Sequence, residues 1–416
     1  MKILICGARG FLGRALADHL RGAGHEIVEG VRRPQGPAQV AIDYQQDVAP
    51  ALWRDRLAGI DTVINAVGIL TETGTQRFET IHHRAPAALF AACAQAGVQR
   101  VIQVSALGAD RGQSAYFRSK RAADEALIAL PLPWVVVRPA LVYGPGGHSA
   151  GFFAQLASLP LTPLPGGGHQ MLQPIHVGDL CACVARLLEA PPRQVVELAG
   201  PALLSWRAML ASYRRQLDLP PAAALSIPGA LMGATAQIAG HLPGAMLTPD
   251  TWRMLSQGNT SAANAAPALL GRPPRPVDAF IPPAEAPARR AEALRAWQRP
   301  LLRYALALVW LWTAVVSLGI HPWADSLALL HRVGLDGAPA LAALIGASAI
   351  DALLGLATLF TPGRRLWWAQ IGLIAGYSLI IVVALPEFLT HPFGPLIKNL
   401  PILALLTFLL AEETRP

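Results

Sequence analysis

The chain has 416 residues, of which 53% are apolar and only 14% charged. Water-soluble domains carry about 25% charged residues, so this composition excludes a chain that lies wholly in water. The net charge of +8 comes with no basic helix and no basic–aromatic interleaving, so no nucleic-acid partner is expected.

The first predicted element is the strand Lys2–Cys6. It runs into Gly7-Ala-Arg-Gly-Phe-Leu-Gly13, and a helical pattern follows with Leu12, Leu16 and Leu20 on one face. Strand, glycine turn and helix in this order let bare backbone approach a pyrophosphate. The helix N-terminus adds free N–H groups and the positive end of a dipole. The opening apolar run is short and ends in the turn, so no leader peptide is expected. Further strands are predicted at Glu26–Val31, 40–42, 61–66, 101–105 and 134–138, with helices such as 86–96 and 114–130 between them. This alternation predicts an α/β, Rossmann-type doubly wound parallel sheet over residues 1–200.

After the second strand comes Gly30-Val-Arg32-Arg33-Pro34. NAD-binding sheets often carry an acid there for the ribose 2′-hydroxyl, whereas arginine suits a 2′-phosphate. Arg9 adds charge from inside the glycine turn. NADP(H) is therefore expected over NAD(H); the alternative is that Arg32 and Arg33 form a solvated turn. At the fourth strand's end, Asn65-Ala66-Val67-Gly68-Ile69 is small enough for backbone to pass beside a ligand, or is an ordinary strand exit.

The fifth strand ends at Ser105, and Tyr116-Phe-Arg-Ser-Lys120 follows. Residues four apart share a helical face. A phenol titrates near 10, and a neighbouring ammonium favours its ionised form, which brings it toward acid–base work. Only Lys2, Lys120 and Lys398 are lysines in this arginine-rich chain, so Lys120 stands out. Ser105 is placed to hydrogen-bond the oxygen being transformed. The alternative is a surface helix that happens to contain Tyr and Lys. The four cysteines, Cys6, Cys93, Cys181 and Cys183, form no C-x-x-C pair and no zinc spacing. They read as reduced buried thiols, and no metal is expected.

Together these pieces, with AGVQRVIQVSALGAD, RPALVYGPGG and QPIHVGDL, resemble the short-chain dehydrogenase/reductase superfamily in its extended or atypical branch. The likeness is nearest to the epimerase/dehydratase-like subgroup that includes the accessory subunit of respiratory complex I. The resemblance implies that Gly7, Gly10, Phe11, Leu12 and Gly13 line the pyrophosphate. It implies Asp43 beside the adenine, Ala66 and Val67 along the cofactor, and Pro139 and Val142 flanking the nicotinamide. By the same resemblance Tyr116 is the acid/base, and Lys120 holds the ribose while lowering the tyrosine pKa.

Residues 201–282 read as a small substrate-side region. The apolar stretch 227–242 within it admits a greasy pocket, contact with a membrane surface or plain core, with core the first expectation. Residues 283–300 form a basic linker by composition, carrying Arg289, Arg290, Arg295 and Arg299. Four apolar segments follow, at 301–320, 339–360, 366–385 and 395–411, each about long enough to span a bilayer. They predict an all-α four-helix transmembrane domain over 301–412. Arginines before the first span and Arg364-Arg365 fall on one side, which places the nucleotide domain in the cytoplasm at a bacterial inner membrane. The layout, with His391-Pro-Phe-Gly-Pro-Leu-Ile-Lys-Asn-Leu-Pro401, resembles the DoxX-like membrane family. Asp351, inside the second span, is either a polar site or a hydrogen-bonded acid holding helices together.

The expected function is a membrane-anchored NAD(P)(H)-dependent oxidoreductase acting on a carbonyl or hydroxyl carbon of a small, lipid-soluble substrate. Two other readings stay open: an epimerase or dehydratase of the nucleotide-sugar type, and a non-catalytic NADP(H)-binding sensor or assembly factor in a membrane complex.

Overall fold

Strand β1 (Lys2–Cys6) is buried on both faces: Ile3, Leu4, Ile5 and Cys6 are each fully buried. Such a continuous apolar run belongs at the centre of a parallel sheet covered on both sides. In this computed structural model, which describes residues 1–240, 247–392 and 394–413, that is where β1 lies. It pairs in parallel with β2 (Glu26–Val31) and with β4 (Thr62–Asn65). β2 pairs with β3 (Gln39–Ala41), β4 with β5 (Arg100–Val104), and β5 with β6 (Trp134–Pro139). The seventh strand, β7 (Gln194–Leu198), closes the order β7-β6-β5-β4-β1-β2-β3. Sequence reading does not anticipate β7. It is an edge strand with Val195 exposed to solvent, so it lacks the apolar run of its neighbours.

Helix α1 (Phe11–Gly22) packs on one face of the sheet with the helix Val177–Leu187, through Leu16, Leu20, Leu180 and Val184. On the other face lie α2 (Ala85–Ala96) and α3 (Ala115–Ile128), through Leu89, Phe90, Ala123 and Leu127. The sheet is therefore doubly wound. Its order reverses between β1 and β4, the switch point where open α/β sheets hold ligands beyond the strands' carboxyl ends.

In the substrate-side region, the helix Trp206–Gln216 buries Trp206, Met209 and Tyr213 in one cluster with Phe153 and Phe280. Strand Ala223–Ile227 pairs in parallel with Leu161–Pro165. The helix Gly229–Ala239 follows, and it buries only Ala236. Core is thus not the role of residues 227–240, since Leu231 is 54% and Ile238 72% exposed; Leu242 lies outside the described residues.

The contact pattern divides the chain into Met1–Ala293 and Leu294–Pro416. Residues 286–300, expected as linker, are helical: a helix runs Ala286–Val315, accommodates Pro300 and ends in a π-turn at Val316–Ile320. A short helix, Trp323–Arg332, precedes the apolar helices Gly337–Phe360 and Arg364–Ala384. Among the described residues, three helices are long and apolar enough to cross a membrane. The last expected span is a shorter helix, Asn399–Glu412, of 14 residues, or about 21 Å at 1.5 Å per residue. Pro395–Lys398 forms turns instead, and Phe393 lies outside the described residues.

The second unit wears its aliphatics outward, with Leu353, Phe360 and Val383 well exposed. Inside, Trp310 Nε1 donates to Gln370 Oε1 (2.8 Å), and Gln370 Nε2 donates to Thr358 Oγ1 (2.8 Å). Asn399 Nδ2 donates to Ser378 Oγ at 2.9 Å. Asp351 is buried, and its Oδ1 has no hydrogen-bond partner among the described residues. At one end of this unit Arg299 meets Glu413 at 2.7 Å, Arg295 meets Glu412 at 3.5 Å, and Trp367 Nε1 donates to Glu413 at 3.3 Å.

Candidate active site at the carboxyl edge of the sheet

The glycine turn leaves β1 with Gly7 at φ +82°, a conformation that favours glycine. Gly7 N–H donates to the Gly30 carbonyl at 3.2 Å, and Gly10 N–H to the Gly7 carbonyl at 2.8 Å. A Cβ on Gly13 would stand 2.1 Å from the Gly7 oxygen. Only glycine therefore lets α1 start this close to β1. The cap residue of α1 is Gly10, with no side chain over the helix start. This bare backbone suits a dinucleotide pyrophosphate. The Phe11 ring lies against Gly144 and Gly147, within 3.0 Å of where either would carry a Cβ. Leu12 is half-buried beside it.

Arg9 and Arg32 are exposed at the β2 side of the turn. Arg9 Nη2 donates to Gln35 Oε1 at 2.7 Å. Arg32 has no side-chain partner among the described residues. Asp43 is half-buried just past β3, and its Oδ1 accepts from the Gln45 N–H at 3.0 Å.

On the other side of the switch point, a buried side chain shapes the loop after β4. Asn65 Oδ1 accepts from the Tyr44 hydroxyl (2.8 Å) and the Val67 N–H (3.2 Å), and its Nδ2 donates to Gln103 Oε1 (2.7 Å). Ala66 and Val67 are thereby held against the turn: a Cβ on Gly7 would lie 3.0 Å from Val67 Cγ2. Pro139, the last residue of β6, is buried, and Val142 is half-buried in a pairing with Ile175.

Lys120 projects from α3 into this space. Its Nζ donates to the Val104 carbonyl at 3.2 Å and lies 3.1 Å from where Gly68 would carry a Cβ. Burial pushes the Lys120 ammonium down to about 8, partly offset by the negative charge of Asp124. The Tyr116 ring packs edge-on to His82 (5.4 Å between centroids), Phe78 (6.0 Å) and Phe117 (5.6 Å). Burial, and after it the charge of Asp124, pushes the Tyr116 phenol up to about 12. The sequence reading expects Lys120 to lower this pKa. The direction is the reverse: burial raises it, and the Asp124 charge adds to the rise.

The structure does not direct Ser105 toward an open space. Its hydroxyl is buried and donates to Asp124 Oδ2 at 2.8 Å, which also accepts from Arg138 Nε and Nη2, both at 3.2 Å. Burial pulls the Asp124 carboxyl up, opposed by the Ser105 hydroxyl and the Arg138 guanidinium.

Two contributors escape the sequence reading. Asp124 shares the helical face of Tyr116 and Lys120, at the next fourth position, and that spacing is visible in the chain. His82 is less visible, because it sits in a π-turn (Glu79–Arg84) that breaks the helical period. Its Nε2 accepts from the Ile69 N–H at 2.9 Å, so the proton sits on Nδ1 and is donated to Ser119 Oγ at 2.9 Å. Ser119 donates in turn to the Tyr116 carbonyl at 2.8 Å. This chain ties the β4 loop to the first turn of α3.

Burial, then the Lys120 charge, pushes His82 down to about 2, so it stays neutral. The unfolded chain takes up this proton below about pH 6.5 and the folded chain does not. Stability therefore falls as pH drops below 6.5, by about 2 kcal/mol at pH 5. His82→Gln is expected to remove His82's share of the acid sensitivity in thermal melts at pH 5 and pH 7.5, leaving that of His176, which burial pushes down to about 4. Equal acid sensitivity in the variant would place the titrating group elsewhere.

A parallel sheet in this order, with a glycine turn at its switch point, defines a dinucleotide-binding Rossmann domain. Residues 3–199 match the model of the NAD dependent epimerase/dehydratase family, and residues 307–407 that of the DoxX-like family. Over 215 residues the chain is 32% identical to NADH dehydrogenase (ubiquinone) 1 alpha subcomplex subunit 9 of Arabidopsis thaliana, covering 47% of this chain and 53% of that protein. Over 203 residues it is 29% identical to the ceramide reductase of Caulobacter vibrioides, covering 47% of this chain and 64% of that protein. The matched segments thus span less than two thirds of either relative. In fold, the NADPH-dependent quinone oxidoreductase of Escherichia coli solved with NADPH aligns at TM-score 0.55 with 19% identity, over 67% of this chain and 98% of the other. A human epimerase family protein solved with NADPH aligns at TM-score 0.52 with 21% identity, over 70% and 99%. These two likenesses concern the fold alone.

Proposed function

We propose that this protein is a membrane-anchored, NADP(H)-preferring oxidoreductase that reduces a carbonyl carbon of a lipid-soluble substrate. The observation that carries the reading is the Lys120 ammonium, buried beside Gly68 at the switch point and one helical turn from Tyr116. A buried lysine with one backbone acceptor keeps donors free for a ribose.

When bound, a nicotinamide cofactor supplies the hydride. Gly7, Gly10, Phe11, Leu12 and Gly13 hold its pyrophosphate, Asp43 its adenosine, and Arg9 and Arg32 a 2′-phosphate. Ala66, Val67, Pro139 and Val142 line its path. Tyr116, protonated at neutral pH, donates its phenolic proton to the carbonyl oxygen as charge develops there. The Lys120 ammonium stabilises the phenolate left behind. A phenol that stays protonated favours the reducing direction. Similarity to a ceramide reductase supports a lipid substrate.

Arg32→Ala is expected to reduce the preference for NADPH over NADH about 10- to 100-fold, since a charge-assisted hydrogen bond contributes roughly 1.5–3 kcal/mol. Titration of the purified protein with both nucleotides measures this. NADH binding as tightly as NADPH in the unaltered protein would remove the role assigned to Arg32.

One observation favours the non-catalytic reading: the Ser105 hydroxyl donates to Asp124, which Arg138 also engages, rather than into open space. A complex I subunit among the relatives points the same way, toward a retained nucleotide in a membrane assembly. Turnover of NADPH with long-chain carbonyl compounds in nanodiscs separates the two.

For the membrane part, four crossings with both ends in the cytoplasm fit the ion pairs that join Arg295 and Arg299 to Glu412 and Glu413. An even number of crossings brings those two ends to one side. The arginine bias supports the cytoplasm for that side.

A further inference from the structure

Between Asp218 and Asp250 the sequence contains no Asp, Glu, Lys or Arg. The helix Gly229–Ala239 lies inside this run. It packs against the helix Pro249–Ser256, and Gly229 and Gly233 both face Trp252. Its buried residue is Ala236. Gly229, Gly233 and Ala236 follow helical spacing, so the small residues form the inward face. The outward face carries Leu231 and Ile238, 54% and 72% exposed, with Thr235 between them. Surface helices of soluble domains do the opposite, turning aliphatics in and charges out. The strand before the helix continues the pattern: Leu225, and on the paired strand Leu161, opposite Ala223, are exposed at 48% and 51%. An apolar patch without charge marks a surface that meets something other than water.

We propose that the outward face of Gly229–Ala239, with Leu225 and Leu161, docks into the lipid surface of a bilayer. The occupant is argued from the same chain. Its second unit carries three helices long and apolar enough to cross a membrane. A tether of this kind keeps lipid at high effective concentration around the first unit, so a modest apolar face suffices for contact. The lack of charge suits the acyl boundary, where a charged side chain is costly.

The test uses full-length protein in nanodiscs. Cys6, Cys93, Cys181 and Cys183 are all buried, so a cysteine placed on the surface can be labelled selectively with a thiol-reactive, polarity-sensitive fluorophore. Leu231→Cys and Ile238→Cys carry the probe on the proposed face; Glu125→Cys, exposed on α3, carries it elsewhere. Lipids bearing a nitroxide on the acyl chain are expected to quench the probes at 231 and 238 at least threefold more than the probe at 125. Blue-shifted emission at those two sites should accompany the quenching. Equal, weak quenching at all three sites would overturn the proposal, whether water or a second copy covers the face. Labelling at exposed positions leaves the core intact, and retained NADPH binding reports the fold in each variant.

Discussion

Replacing Tyr116 with phenylalanine is expected to lower kcat by about 100- to 10,000-fold while nucleotide affinity stays within a few-fold of the original. The ring keeps its packing against His82, Phe78 and Phe117, and only the proton is lost. Lys120→Met should behave differently, because in the proposed mechanism the ammonium serves both proton transfer and the ribose. Both kcat and nucleotide affinity fall there. The pH profile adds a second check. With Lys120 pushed down to about 8, the ammonium discharges above that pH and its hold on a ribose weakens, so NADPH affinity should decline between about pH 8 and pH 10. Full NADPH-dependent turnover in Tyr116→Phe would make the retained-nucleotide reading the correct one.

The largest effect on stability is expected at Asp124. Asp124→Ala leaves Arg138 with only the exposed Asp110, at 3.8 Å, as counter-ion and the Ser105 hydroxyl without its acceptor. Breaking a buried pair from one side costs roughly 3–5 kcal/mol, because the surviving charge stays out of water. Thermal melts monitored with and without NADPH would show the loss in the first unit. Ser105→Ala is the informative companion. If Ser105 serves only Asp124, the variant loses about 1 kcal/mol of stability and keeps its turnover. A loss of turnover with little loss of stability would return Ser105 to the substrate oxygen.

The parts of this arrangement that were legible share a physical basis. β1, β4, β5 and β6 are buried on both faces, so each is written as a short, mostly apolar run, with the buried polar side chains Asn65 and Gln103 pairing with each other. The glycine turn is legible because close approach of α1 to β1 excludes any Cβ at Gly13. The edge strand β7, half-wet, leaves no such trace. His82 was hidden for another reason: its partners, Ile69 and Ser119, lie far apart in sequence and meet only after α2 and α3 pack. The direction of the Tyr116 shift was hidden because a neighbouring lysine can be read from spacing, whereas burial cannot. The exposed helix Gly229–Ala239 misled by composition, since apolar residues are written the same way for a core as for a lipid-facing surface.

The clasp at the end of the second unit has a consequence for biosynthesis. Arg299 and Glu413 are separated by 114 residues in sequence, so the first has left the ribosome well before the second is made. Domains form in the order in which the ribosome releases them, so the nucleotide-binding fold can be complete while the bundle is still open. The bundle latches only after the helix Asn399–Glu412 emerges. A chain that stops before Glu412 would retain its nucleotide domain and the helices before Asn399, yet leave Arg295 and Arg299 without these partners.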